Sequence, residues 1–147
     1  MQTQNQNYRE YVQEIFDTSN FVAELGIQLH DVGPGWCETR MEVLPQHLQQ
    51  TNFVHAGVQA SMADHTAGGA AATLIKAEET VLAVEFKINL LRPAVGSALR
   101  CRANVIKPGK RFIIVEAEVW SFQQGEEKLV AKTLETVAVV PNVEKSK

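Results

Sequence analysis

The run from 58 to 75 limits the fold more than any other part of this chain, because it has no proline and a single acid, Asp64. A stretch so poor in charge has to be buried, and its length predicts a helix rather than a strand. The sequence around it has the two-residue period of half-buried strands. Before it, Cys37, Thr39, Met41 and Val43 alternate with Glu38, Arg40 and Glu42. After it, Leu82, Val84, Phe86, Ile88 and Leu90 alternate with Ala83, Glu85, Lys87 and Asn89. Leu99, Cys101, Ala103 and Val105 then alternate with Arg100, Arg102 and Asn104.

The other elements follow from punctuation. Residues 7–17 predict a helix with Tyr8, Tyr11, Val12, Ile15 and Phe16 on one face, and 20–25 a short helical turn closed by Gly26. Strands over 26–31 and 36–44 flank Gly33-Pro34-Gly35, and the polar, aperiodic 45–54 reads as a loop. Pro93 and Gly96 break the chain after 82–90, Pro108-Gly109 makes a turn, and Gln123-Gln124-Gly125-Glu126 separates strands over 112–122 and 128–140. The order is helix, two strands, buried helix, four strands. That is an α+β architecture, an antiparallel sheet wrapped around one long central helix. Residues 1–147 form one domain in this reading, with N-terminal helix over about 7–25, core over about 26–140 and a polar tail from 142.

Composition narrows the function classes. At 147 residues, 45% apolar and 21% charged, the chain has the balance of one globular domain. Its Gln- and Asn-rich start has no apolar core of a secretory signal, and no run approaches the ~20 apolar residues of a membrane span. A cytoplasmic protein without membrane association is expected. Cys37 and Cys101 are expected to be buried free thiols, and neither they nor His30 and His47 have metal-ligand spacing. No metal or cofactor is expected, and a net charge of -3 gives no reason to expect nucleic acid. That charge is uneven, since 86–115 holds Lys87, Arg92, Arg100, Arg102, Lys107, Lys110 and Arg111 but no acid. Two explanations stay open: strand faces whose cations deter edge pairing, or a positive rim for an anionic, phosphorylated ligand.

The central helix carries the candidate chemistry. Gly57, Ala60, Ser61, Asp64, Gly68 and Ala71 recur at helical spacing and share a face that is small except for one carboxylate. Such a face admits another backbone or a slender ligand, and a buried, ionised Asp needs partners or a raised pKa. Asp64 either bonds donors at a subunit contact or serves as general base or nucleophile. His55-Ala56-Gly57 falls at the helix start, where N–H groups lack intrahelical partners and the dipole favours negative charge. The N–H of Ala56 or Gly57 is therefore a candidate oxyanion donor. Asp64 lies about two turns, ~12 Å, further along, too far for both groups to act on one carbonyl. The helix start of one subunit has to meet Asp64 of another, which predicts a homo-oligomer, dimer or tetramer.

The segment 55–64, His-Ala-Gly-Val-Gln-Ala-Ser-Met-Ala-Asp, followed by Val-Glu-Phe-Lys-Ile-Asn-Leu-Leu-Arg-Pro-Ala at 84–94, resembles the PaaI-like branch of the hotdog thioesterases. That family shows a His-Gly-Gly start, an acidic residue nine positions after the His, and a later strand ending in an Arg-Pro-Ala-like turn, as His55, Asp64 and Arg92 stand here. The resemblance covers roughly 26–140. It implies five-stranded sheets joined side by side in a dimer, often with two dimers in a tetramer. It also implies that Asp64 activates water or attacks a thioester carbonyl, that the Ala56 N–H polarises this carbonyl, and that the Gln49 amide lies near the attacking water. CoA phosphates would meet Arg92, Lys110 and Arg111.

His55 is expected to orient the loop, and Gly57, Asn52, Ser61, Gly68 and Ala83 complete the expected substrate-binding set, Asn52 as a helix-entry cap or loop residue. Ala56 replaces the first Gly of the motif but keeps its N–H. Gln49 stands where many relatives have Asn, while Ala83 and Gly68 lack hydroxyls that some members carry. His65 points about 100° away from Asp64 on the helix and is expected to be a satisfied core or interface histidine. Trp36 and Trp120 are packing aromatics or borders of an acyl pocket. The expected activity is hydrolysis of a medium-chain or aromatic acyl-CoA to free acid and CoA. Its rivals are a non-catalytic acyl-CoA-binding or regulatory protein, and an enoyl-CoA hydratase, which needs an acid–base pair facing one substrate.

Overall fold

The computed structural model describes residues 1–142; beyond Asn142 the expected polar tail lies outside them. Two helices, α1 (Tyr8–Thr18) and α2 (Asn20–Glu24), lead into β1 (Gln28–Gly33) and β2 (Trp36–Glu42). A 3-10 turn (Pro45–His47) precedes α3 (Ala56–Ala72), and β3 (Glu79–Leu90), β4 (Ala98–Pro108), β5 (Phe112–Gln123) and β6 (Glu126–Pro141) follow. The strands form one antiparallel sheet in the order β1-β2-β4-β5-β6-β3, with α3 against one face. The wrapped α+β arrangement is as expected. The sheet has six strands where the resemblance implied five, because the tight turn at Gly35 (φ 83) folds β1 back onto β2.

Mostly small side chains, with Met62 as the large exception, seat α3 on the sheet. Met62, Ala63, Thr66, Ala67 and Ala70 are all 0% exposed. At Gly69 a Cβ would lie 3.0 Å from Cys37 Sγ on β2 and 3.2 Å from the Phe16 ring on α1, so only glycine allows this approach without displacement. Close by, the Thr66 hydroxyl donates to the Met62 carbonyl at 2.6 Å and lies 2.7 Å from that of Thr39, which donates to it across the helix–sheet contact. Burial pushes up the pKa of both thiols on this surface, that of Cys101 to about 12.

The helix starts at Ala56 rather than Val58 and ends at Ala72 rather than Ile75. At its end the Thr73 hydroxyl donates to Ala70 O at 2.7 Å and accepts the Gly35 N–H at 2.8 Å, which ties the chain to the β1–β2 turn instead of continuing the helix.

The simple alternation expected for 82–90 is not kept. Ala83 pairs with Val137 and Glu85 with Thr136, so Val84 is an extra residue and the phase slips there. Val81 and Ala83 consequently share the helix side of the sheet with Phe86, Ile88 and Leu90, while Leu82 joins Glu85 and Lys87 on the other. β3 is an edge strand, and Leu82, Val84, Phe86 and Leu90 are between 43% and 58% exposed along it.

The outer sheet face resolves part of the charge asymmetry. Arg100 grips Glu127 with two bonds of 2.7 and 2.8 Å and reaches Glu38 at 3.5 Å. Arg102 lies 3.8 Å from Glu38 and 3.7 Å over the Trp36 ring, and Arg100 sits 5.4 Å over Trp120. These cations are balanced by acids that other strands bring beside them, and both tryptophans pack beneath them on the side away from α3. Among the described residues, no helix is long and apolar enough to cross a membrane.

Two outcomes follow from this packing. Gly69→Val should lower stability by about 1–3 kcal/mol, read as a fall in the urea midpoint. Cys37 and Cys101, buried and high in pKa, should resist a thiol-reactive dye at pH 8 in the native protein and both react in denaturant.

Candidate active site

The start of α3 is fixed by a hydrogen-bonded loop. Gln49 N–H donates to Phe53 O at 2.8 Å, Asn52 N–H to Gln49 O at 2.9 Å, and Val54 N–H to Ala94 O at 2.9 Å. His55 N–H then donates to His47 O at 2.9 Å, which sets where the helix begins. Asn52 sits at φ 62, a left-handed loop residue, and the N-cap is His55. Of the two roles expected for Asn52, the loop residue holds and the helix-entry cap does not, because His55 occupies the cap.

His55 Nδ1 accepts the Gly57 N–H at 2.8 Å, which assigns one of the two candidate donors a partner. The Ala56 N–H has no hydrogen-bond acceptor among the described residues. The Gln49 amide donates to Thr51 at 2.7 Å within the loop, and Ser61 donates to Gly57 O at 2.7 Å within the helix.

The exposed stripe of α3 runs from Gly57 through Ala60, Ser61 and Asp64 to Gly68, and closes at the fully buried Ala71. Asp64 is half-buried at a pocket of about 190 Å³ whose lining includes Gly68, Ala83, His65, Val81 and Glu135. A Cβ at Gly68 would meet nothing within 4 Å, so the groove is open there. His65 meets Phe16 edge-on at 4.5 Å between ring centres, and its Nε2 is buried without a partner. The expectation of a satisfied histidine is therefore corrected, since Phe16 offers no acceptor; burial lowers the His65 pKa.

Glu135 is the residue that sequence reasoning missed. It is 1% exposed on β6, and among the described residues no N–H or hydroxyl group donates to either carboxyl oxygen. Burial, then the charge of Asp64, then hydrogen bonding with Asp64 raise its pKa to about 9. Its signal was its phase, in step with the inward Ala131, Thr133 and Val137 rather than with Lys132 and Thr136.

One chain thus brings together Asp64, Gly68, Ala83 and Glu135, and separately gathers Gln49, Asn52, His55, Ala56 and Gly57 at the helix start. It does not bring the three expected phosphate contacts together. Leu91, beside Arg92, bonds Val130, while Arg111, next to Lys110, bonds Val139. Along the strands these points are roughly 30 Å apart. Among the described residues, Arg92, Lys110 and Arg111 have no carboxylate partner, and no cluster of three or more His, Cys, Asp or Glu side chains is placed to hold a metal.

The sequence pattern of the thioesterase superfamily matches residues 51–128, a span that holds the helix start, Asp64 and β3. A thioesterase family protein from Silicibacter pomeroyi is 34% identical, with a TM-score of 0.90 over 92% of this chain and 99% of that one. The PaaI protein of the E. coli phenylacetic acid degradation operon, at 21% identity, shares the fold with a TM-score of 0.83 over 95% of this chain and 98% of its own. The 1,4-dihydroxy-2-naphthoyl-CoA hydrolase of Listeria monocytogenes is 28% identical over 78% of this chain and 91% of that protein. The chain belongs to the thioesterase superfamily and is a thioester hydrolase built on its hotdog fold.

Proposed function

We propose that this enzyme hydrolyses the thioester of a medium-chain or aromatic acyl-CoA to the free acid and CoA. The observation that carries the proposal is the separation, on one helix, of the unpaired N–H of Ala56 from the pocketed carboxylate of Asp64. At 1.5 Å per residue they are about 12 Å apart, and a single carbonyl cannot touch both.

A second copy supplies the missing half. β3 is an unpaired edge carrying exposed apolar side chains. Two copies joined antiparallel along it share a twofold axis normal to the sheet, which sets their α3 helices antiparallel. The helix start of one copy then lies beside Asp64 of the other. The same operation moves Arg92 of one copy to the end of the sheet where the second copy has Lys110 and Arg111, so cations from both meet the CoA phosphates.

In that site the Ala56 N–H donates to the thioester oxygen and stabilises the charge developing on it. Asp64 takes a proton from water as the water oxygen bonds to the carbonyl carbon. The C–S bond then breaks, and the proton passes from Asp64 to the CoA sulfur. If Asp64 instead attacks the carbonyl carbon directly, the C–S bond breaks and CoA leaves as the thiolate, and water then cleaves the resulting anhydride, its proton going to the CoA sulfur. His55 holds the helix start in place through Gly57, and Gln49 flanks it from the loop. The small lining at Gly68 and Ala83 leaves room for a flat acyl group, and the Listeria relative, named for an aryl-CoA substrate, supports the aromatic choice.

Asp64→Asn should fold normally, bind CoA and lose at least ~100-fold in kcat across a panel of short, branched, medium-chain and aryl-CoA thioesters; undiminished turnover would reject the assignment. Ala56→Pro removes the N–H and keeps a backbone suited to the helix start. Proline suits the first helical position, and His55 already has the extended backbone (φ -59, ψ 140) that precedes a proline. It should keep the fold and lower kcat by about 100–1000-fold with little change in KM; a wild-type kcat would show that the donor lies elsewhere.

A further inference from the structure

Glu135 lies outside the 51–128 family match, yet its carboxyl borders the same pocket as Asp64. A glutamate that is 1% exposed needs donors around it, and both of its oxygens lack them. The groups facing it from each neighbouring element are few. From α3 come Asp64 and His65, from α1 Ile15, from β3 Ala83 and its pair-mate Phe86, and from β5 its pair-mate Val115. Thr133 and Val137 flank it on the same face of β6. The nearest further acids, Glu85 and Glu116, are opposite Thr136 and Leu134 and so point to the other side of the sheet. Among the described residues, no lysine or arginine borders the pocket, and burial disfavours a charged His65. Two carboxylates facing each other without a cation or donor repel, and a proton held between them satisfies both.

We propose that Glu135 is a positioning residue of the Asp64 site, sharing one proton with it so that the pair carries a single negative charge. Glu135 holds the proton and donates its O–H to one oxygen of Asp64, leaving the other oxygen for water. Through turnover that proton stays on Glu135. The water proton goes to Asp64 and on to the CoA sulfur, and Asp64 returns to a carboxylate still held by the same hydrogen bond. The raised Glu135 pKa, about 9, fits this division, with burial as its main cause and Asp64 supplying the rest. The sign is definite. Because the folded state holds the Glu135 proton more tightly than an ordinary carboxylate does, Glu135 stays protonated through neutral pH and loses that proton, and with it the arrangement, as pH rises through about 9.

This role rests on Asp64 being the catalytic carboxylate, so its test has one arm that needs no turnover. Carboxyl carbon NMR on the whole wild-type protein should show Glu135 titrating near pH 9, and Asp64→Asn should lower that midpoint by about one unit or more. An ordinary Glu135 midpoint, or one that Asp64→Asn does not move, overturns the shared proton whether or not any thioester is cleaved. The second arm is the pH profile of kcat/KM. Wild type should lose activity on the alkaline side as the proton leaves. Glu135→Leu, which has no donor, should lower kcat about 10–100-fold. Glu135→Gln, which keeps an N–H donor but cannot titrate, should recover most of that loss and lack the alkaline limb. Superimposable profiles for wild type and Glu135→Gln overturn the positioning role; absence of hydrolysis in wild type would instead reject the proposed function and leave the NMR arm standing.

Discussion

Everything at the site depends on how closely α3 can lie on the sheet. Gly69 against Cys37 and Phe16, with Thr66 joined to Thr39, leaves no room for a larger side chain at that point of the helix. A helix held this tightly presents its opposite side at a fixed height above β6 and β3. There the side chains are small again, and the space they leave becomes the pocket that the half-buried Asp64 borders. The packing that stabilises the fold and the opening that admits a ligand are two sides of one run of glycines and alanines.

Electrostatics then divides the labour along the helix. Its N-terminus concentrates unsatisfied N–H groups and partial positive charge, and His55 occupies the donor at Gly57 while the one at Ala56 stays unpaired. Two turns further on, Asp64 borders the same pocket as Glu135, whose burial and nearness to Asp64 push its own carboxyl pKa up to about 9. Under the proposed function these halves, too far apart to cooperate within a chain, meet across a twofold axis at the bare, apolar edge of β3.

Much of this was legible in the sequence because it is local. The charge-poor run, the alternating strands and the small stripe around Asp64 are periodic features, and they located α3, the sheet and the acid at its groove. What escaped notice depends on pairing across long sequence separations. The bulge at Val84 cannot be read from 82–90 alone, since an apolar residue suits either phase, and only the register with β6 shows that Ala83 turns inward. Glu135 lay in the buried phase of β6, but its meaning appears only when α3 brings Asp64 over it. The partners of Arg100 and Arg102 are acids from β2 and β6, invisible in a count of charge along 86–115. The choice between the Ala56 and Gly57 N–H groups turned on one side-chain contact of His55.

The most direct measurement of a site divided between two copies is subunit mixing. Asp64→Asn and Ala56→Pro chains, each inactive alone, are dissociated together and allowed to reassociate. If Asp64 of one copy works with the Ala56 N–H of its neighbour, every mixed pair contains one intact site, and random reassortment restores about a quarter of the wild-type rate. If both groups act within the same chain, no combination rebuilds a site, and a mixture as inactive as its components contradicts the account.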